Sequence, residues 1–107
     1  MTVYNKLVRD RIPEIIEAQG EKANVRVLEE ADFLVLLEEK LDEEVGEFHR
    51  DRNIEELADI LEVVYALADS VGSREELDRV YRKKHEDRGG FEERVFLISK
   101  ETVLKRD

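Results

Sequence analysis

Residues 30–71, EADFLVLLEEKLDEEVGEFHRDRNIEELADILEVVYALADSV, decide the fold of this chain. Apolar residues recur every three or four positions from about residue 30 to 50, the repeat of an amphipathic helix. Asn53 can cap the start of a further helix over residues 54–71, and Gly72 can end it. The apolar stripe of the first of these helices consists of Phe33, Leu34, Leu37, Leu41, Val45 and Phe48.

The flanking sequence predicts two more helices and a short β element. One helix is expected over residues 5–19 and another over residues 74–88, each followed by glycine. Residues 25–28 and 95–98 are rich in β-branched and aromatic side chains, so they predict two short strands that pair with each other. The expected fold is all-α, a single four-helix domain over the 107 residues with a small two-stranded addition.

The charge of the chain is concentrated in its middle third. The formal net charge is −10, and residues 29–69 contain 15 acidic but only three basic side chains. A nucleic-acid-binding surface would require the opposite sign, so no nucleic-acid partner is expected. No apolar run approaches the roughly 20 residues of a membrane span, and no signal peptide is recognisable. With no cysteine to form disulfides, the chain is expected in the cytoplasm.

The spacing of the acidic residues in the two long helices predicts a metal site. Because the connection over residues 49–53 is short, the two long helices should pack antiparallel. Glu47 and Glu56 lie equally far from the middle of that connection, and so do Glu44 and Asp59. Residues three apart are neighbours on one helix face, so the four carboxylates are expected to form two rungs one turn apart.

Converging carboxylates repel one another and raise one another's pKa, a conflict that a divalent cation removes. An all-oxygen ligand set favours Mg²⁺, with Mn²⁺ as the substitute, over Zn²⁺. The alternative is that these acids form a solvated face of a charged hairpin, and acidic pairs at this spacing are common by chance in so acidic a chain.

The helix over residues 54–71 is apolar on more than one side. Its exposed polar stripe is narrow, formed by Glu55, Glu62 and Asp69 at intervals of seven residues. The remaining apolar surface exceeds what one side of a small bundle covers. We therefore expect a homo-oligomer, a dimer or a tetramer, built largely through this helix.

Four segments together resemble a known enzyme superfamily. EEVGEF (43–48) followed by EELADIL (55–61) is similar to the paired acidic motifs of the MazG-like, all-α nucleoside triphosphate pyrophosphohydrolases. That superfamily also includes dimeric dUTPases and phosphoribosyl-ATP pyrophosphohydrolases. YNKLVRDRIPEII (4–16) and KKHEDRGGF (83–91) look like a small house-cleaning branch of it.

The resemblance implies Glu44, Glu47, Glu56 and Asp59 as metal ligands and Glu43 as the general base. It implies Mg²⁺-dependent attack of water on the α-phosphorus, which yields a nucleoside monophosphate and pyrophosphate. Such an enzyme would clear non-standard or excess nucleotides.

An acidic site that holds a polyphosphate also needs cationic side chains. The candidate phosphate-binding residues lie in the N-terminal segment and on the last helix: Lys6, Arg9, Arg11, Lys83, Lys84 and Arg88.

Two other functions remain open: hydrolysis of phosphoribosyl-ATP in histidine synthesis, and a non-enzymatic helical interaction module.

Overall fold

The computed structural model of the chain describes residues 1–104. Within them it contains α1 (Ile12–Ala18), α2 (Glu30–Asp51), α3 (Ile54–Val71) and α4 (Arg74–Arg88), and no strand. The all-α prediction is confirmed. The observed bounds of α3 and α4 equal the predicted ones, and α2 extends one residue beyond its expected end.

Local capping sets these bounds. The Asn53 side chain accepts a hydrogen bond from the Glu56 backbone N–H at 3.0 Å at the start of α3. Ser73 does the same for the Glu76 N–H at 3.1 Å at the start of α4. Arg52 adopts a left-handed conformation with φ of 49°, which lets the chain reverse direction between α2 and α3 within two residues.

The first helix is shorter than predicted, because it begins at Ile12 instead of residue 5. Pro13 lies in its first turn, where the missing N–H costs nothing. In a helix that began earlier, the Pro13 ring would clash with the carbonyl of Arg9. That carbonyl instead accepts a hydrogen bond from the Ile12 N–H at 3.0 Å, and residues 1–11 remain irregular.

The two predicted strands are not formed within residues 1–104. Residues 25–28 and 95–98 have irregular backbone, and most of their apolar side chains are exposed. A strand requires a neighbour that accepts and donates its backbone hydrogen bonds, and neither segment finds one among the described residues.

The antiparallel hairpin of α2 and α3 forms the core. Leu37 of α2 and the pair Val63 and Ala68 of α3 are its buried apolar side chains. The fourth helix joins α3 through a hydrogen bond that the Tyr65 hydroxyl donates to Asp78 at 3.3 Å. The molecule is long, with extents of 77 × 30 × 20 Å. None of the four helices described is long and apolar enough to cross a membrane.

Candidate metal centre and adjoining cavity

Three of the four predicted ligands converge at one point of the hairpin. Glu44 of α2 and the pair Glu56 and Asp59 of α3 each offer a carboxylate oxygen, and these oxygens all lie within 4.8 Å of one another. The convergence follows from the antiparallel packing, which puts Glu44 level with Asp59, and from the three-residue spacing within α3. A single cation can therefore contact all three residues.

The fourth predicted ligand, Glu47, lies beside this group. Burial raises the pKa of Glu44 and of Glu56, and the nearby negative charge of the Glu47 carboxylate raises both further. Glu47 thus adds a fourth negative charge next to the three converging oxygens.

Burial makes the cluster costly without a cation. Glu44 is only 6% exposed. Oε2 of Glu44 and Oε2 of Glu56 are buried and find no hydrogen-bond partner within residues 1–104. Burial is the main cause that raises the pKa of both carboxyls, and neighbouring acids raise it further. A buried acceptor without a hydrogen bond is destabilising, so both oxygens are suited to bind a cation.

Two basic side chains partly balance this charge. Lys40 Nζ lies 3.4 Å from Glu44 Oε1, and this ammonium opposes the rise in the Glu44 pKa. Arg9 Nη2 lies 2.7 Å from Asp59 Oδ1, and Arg9 Nη1 lies 3.9 Å from Glu62 Oε1. The irregular N-terminal segment therefore places the Arg9 guanidinium in contact with the acidic cluster.

A cavity of about 390 Å³ opens from the acidic cluster. Its volume lies within the roughly 300–1,000 Å³ of small-molecule sites. The N-terminal segment, residues 7–10, forms one wall, and facing residues of α2 and α3 form the others. The carboxylates Glu44 and Asp59 line it together with apolar side chains and Arg74. A charged group and an apolar group of one ligand can therefore be held side by side.

The predicted phosphate-binding residues divide into two sets. Arg9 is at the site, and Lys6 lines a second cavity of about 90 Å³ with Lys40 and Glu43. The others are not brought to the cluster. Arg11 is paired with Glu14 and Lys83 with Asp87, while Lys84 and Arg88 are exposed on α4.

The predicted base, Glu43, lies next to Glu44 in sequence but its side chain is half-exposed and lines the second cavity. Lys40 Nζ is 3.5 Å from Glu43 Oε1, so this one ammonium contacts both Glu43 and Glu44.

Sequence reasoning missed two cations at this site. Lys40 precedes Glu44 by four residues, a spacing that brings side chains together on a helix and could have revealed it. Arg74 lies with its guanidinium carbon 3.7 Å from the centre of the Tyr65 ring. That contact depends on how α4 leaves α3, and no spacing in the sequence reveals it.

Comparison with known proteins adds little to this geometry. No family model matches the chain, and no solved structure matches it. The chain is 50% identical over 42 residues to an uncharacterized protein of Mycolicibacterium smegmatis. The match covers 39% of this chain and 43% of that protein, so less than half of the relative's length is spanned.

Proposed function

We propose that the chain is a Mg²⁺-dependent nucleoside triphosphate pyrophosphohydrolase of the MazG-like kind. The observation that carries the proposal is the convergence of Glu44, Glu56 and Asp59 at the mouth of a nucleotide-sized cavity, with two buried oxygens that find no hydrogen-bond partner among residues 1–104. The motif resemblance supplies the reaction class. We also propose that it acts in the cytoplasm, where nucleoside triphosphates are used.

The donor set fits a hard divalent cation. Carboxylate oxygens are the ligands that Mg²⁺ prefers, and Mn²⁺ accepts the same set. Glu44, Glu56 and Asp59 would hold the ion, with Glu47 completing the set. When bound, the ion neutralises phosphate oxygens and lowers the pKa of coordinated water.

The remaining roles belong to neighbouring side chains. Glu43 accepts a proton from the attacking water, whose oxygen bonds to the α-phosphorus. The bond from the α-phosphorus to the oxygen that bridges it to the β-phosphorus breaks, and pyrophosphate leaves with the electron pair. Arg9 and Lys40 balance the negative charge of the phosphates and the carboxylates.

Two other functions are compatible with the same residues. Phosphoribosyl-ATP carries a comparable polyphosphate, so the metal-binding residues would serve it equally. A non-enzymatic helical module would keep the acids as a charged surface, although the burial of Glu44 disfavours this.

One assay separates the three functions. The purified chain is incubated with a panel of ribo- and deoxyribonucleoside triphosphates, and separately with phosphoribosyl-ATP, in Mg²⁺. Pyrophosphate is scored as the phosphate that appears only when inorganic pyrophosphatase is added. Asp59→Asn should abolish turnover, whereas Glu38→Gln, an exposed acid on α2, should leave it unchanged.

Orthophosphate as the direct product, or full activity in EDTA, would overturn the proposal. Turnover of phosphoribosyl-ATP alone would move the chain to the histidine-synthesis reaction. No turnover of any substrate would favour the interaction module.

We further propose that the working form is a homo-oligomer. The radius of gyration is 20.4 Å, against about 13 Å for a compact chain of about 100 residues. Ile54, Leu57 and Leu61 form an apolar stripe on α3 that the single chain leaves exposed, at 72%, 43% and 50%. A second copy would bury this stripe. Light scattering that finds a stable monomer at micromolar concentrations would contradict the proposal.

A further inference from the structure

The cavity runs along the hairpin as a groove. The antiparallel register puts Glu44 level with Asp59, Leu37 level with Ala66, and Phe33 close to the level of Asp69, and all six line it. From Glu44 back to Phe33 is 11 residues of α2. At 1.5 Å per residue the groove is roughly 16 Å long, so a ligand held at the carboxylates can extend well beyond them.

The chemistry changes along this groove. The end at Glu44 and Asp59 is acidic and carries the Arg9 guanidinium. The middle is apolar, because the buried side chains of Leu37 and Val63 form its walls. A polyphosphate is suited to the first part, with a cation, and a sugar ring to the second.

At the level of this apolar part, Tyr65, which precedes Ala66, and Arg74 add a flat surface that carries a guanidinium. Arg74 lines the cavity, and its guanidinium carbon lies 3.7 Å from the Tyr65 ring centre. The Tyr65 hydroxyl is held by Asp78 at 3.3 Å, so the ring is fixed at its edge as well as its face. A planar guanidinium stacked in this way can receive an aromatic ring.

We propose that this groove is the nucleoside subsite, with the Tyr65–Arg74 pair as the surface on which the nucleobase stacks. The phosphates then lie at the carboxylates and the sugar lies between Leu37 and Val63. The ligand class is a nucleoside triphosphate with a planar base, as opposed to an inorganic polyphosphate. The position assigned to the phosphates rests on the proposed function.

The test compares two ligands by isothermal titration calorimetry in Mg²⁺. One is inorganic tripolyphosphate, and the other is an α,β-methylene nucleoside triphosphate, which cannot be cleaved at the bond in question. Wild-type protein should bind the nucleotide analogue at least tenfold more tightly, since a stacked base adds favourable contact.

Arg74→Gln and Tyr65→Leu should remove this difference while leaving the tripolyphosphate Kd within about twofold, a change of about 0.4 kcal/mol. Tyr65→Phe keeps the ring and should retain most of the difference, which guards against a folding defect in Tyr65→Leu. The matched controls are Arg79→Gln and Tyr81→Leu, exposed residues of α4 outside the cavity, and they should bind as wild type does.

Equal affinity of wild-type protein for the two ligands would overturn the nucleoside subsite, and pyrophosphate release in the earlier assay would still support the enzyme. Tight, Arg74-dependent analogue binding without turnover of any triphosphate would support the subsite and overturn the enzyme. Binding of neither ligand would overturn both.

Discussion

Magnesium should raise the stability of this protein far more than an inert salt does. The folded chain holds three carboxylates within 4.8 Å, and two of their buried oxygens have no hydrogen-bond partner in the described part of the chain, whereas the unfolded chain separates them. An ion that binds only the folded state adds RT ln(1 + [Mg²⁺]/Kd) to the free energy of unfolding. At one hundred times Kd the gain is about 2.7 kcal/mol.

For a domain near 100 residues, 1 kcal/mol changes Tm by about 4–8 °C, so the expected rise is about 10–20 °C. The assay is thermal unfolding followed by circular dichroism, in EDTA and then across a MgCl₂ titration. A parallel NaCl series at matched ionic strength measures ordinary screening.

Substitutions localise the effect. A variant with tenfold weaker Kd keeps only about 1.4 kcal/mol at the same Mg²⁺ concentration, half of the wild-type gain. Glu44→Gln and Asp59→Asn should each lose at least that much. Glu38→Gln, which removes the same charge from an exposed position on α2, should keep the full gain.

A gain that NaCl reproduces, or one that all three variants reduce alike, would refute the reasoning. It would mean that the acids respond to bulk ions as a solvated surface does, and the proposed enzyme would lose its main physical support.

Four further outcomes are expected. Glu43→Gln should preserve the Mg²⁺-induced rise in Tm but lower kcat by about 10²–10⁴-fold in single-turnover measurements, and near-normal kcat would remove Glu43 as the base. Arg9→Gln should tighten binding of Mg²⁺ alone by up to about fivefold, because Asp59 loses a competing ion pair worth about 0.2–1 kcal/mol, yet weaken nucleotide binding by calorimetry. The pKa of Glu44 is raised above 4.5 in the folded state, so the folded protein binds more protons there than the unfolded chain does. Metal-free Tm should therefore fall as pH rises from 4.5 through that raised pKa. Glu44→Gln should flatten this slope, and an unchanged slope would contradict the assigned cause. Gly46→Ala should stabilise the chain by about 0.5–1 kcal/mol, because among the described residues the added Cβ would meet only Arg50 Nη1, at 3.8 Å. A lower Tm would indicate that a second copy packs its backbone there.

Periodicity and capping chemistry were sufficient to predict the hairpin. The apolar stripe of α2 is buried or half-buried along its whole length, and Asn53 and Ser73 cap α3 and α4 as their residue types predict. The register of the acids also followed, since a short connection leaves an antiparallel pair little freedom to slide. The prediction was wrong at the start of α1, where Pro13 sets the boundary, and at residues 25–28 and 95–98, which find no strand partner within residues 1–104.

The sequence by itself therefore determined the features that arise from neighbours along the chain: the lengths of α2, α3 and α4, and the convergence of Glu44, Glu56 and Asp59. Only the tertiary structure placed Arg9 against Asp59, 50 residues away in sequence, and selected it from the six basic residues that the pattern suggested. It also placed Arg74 over Tyr65. Such contacts depend on how irregular segments and helix axes cross. Packing between distant residues supplies the free energies that fix those crossings, and no local spacing in the sequence records that packing.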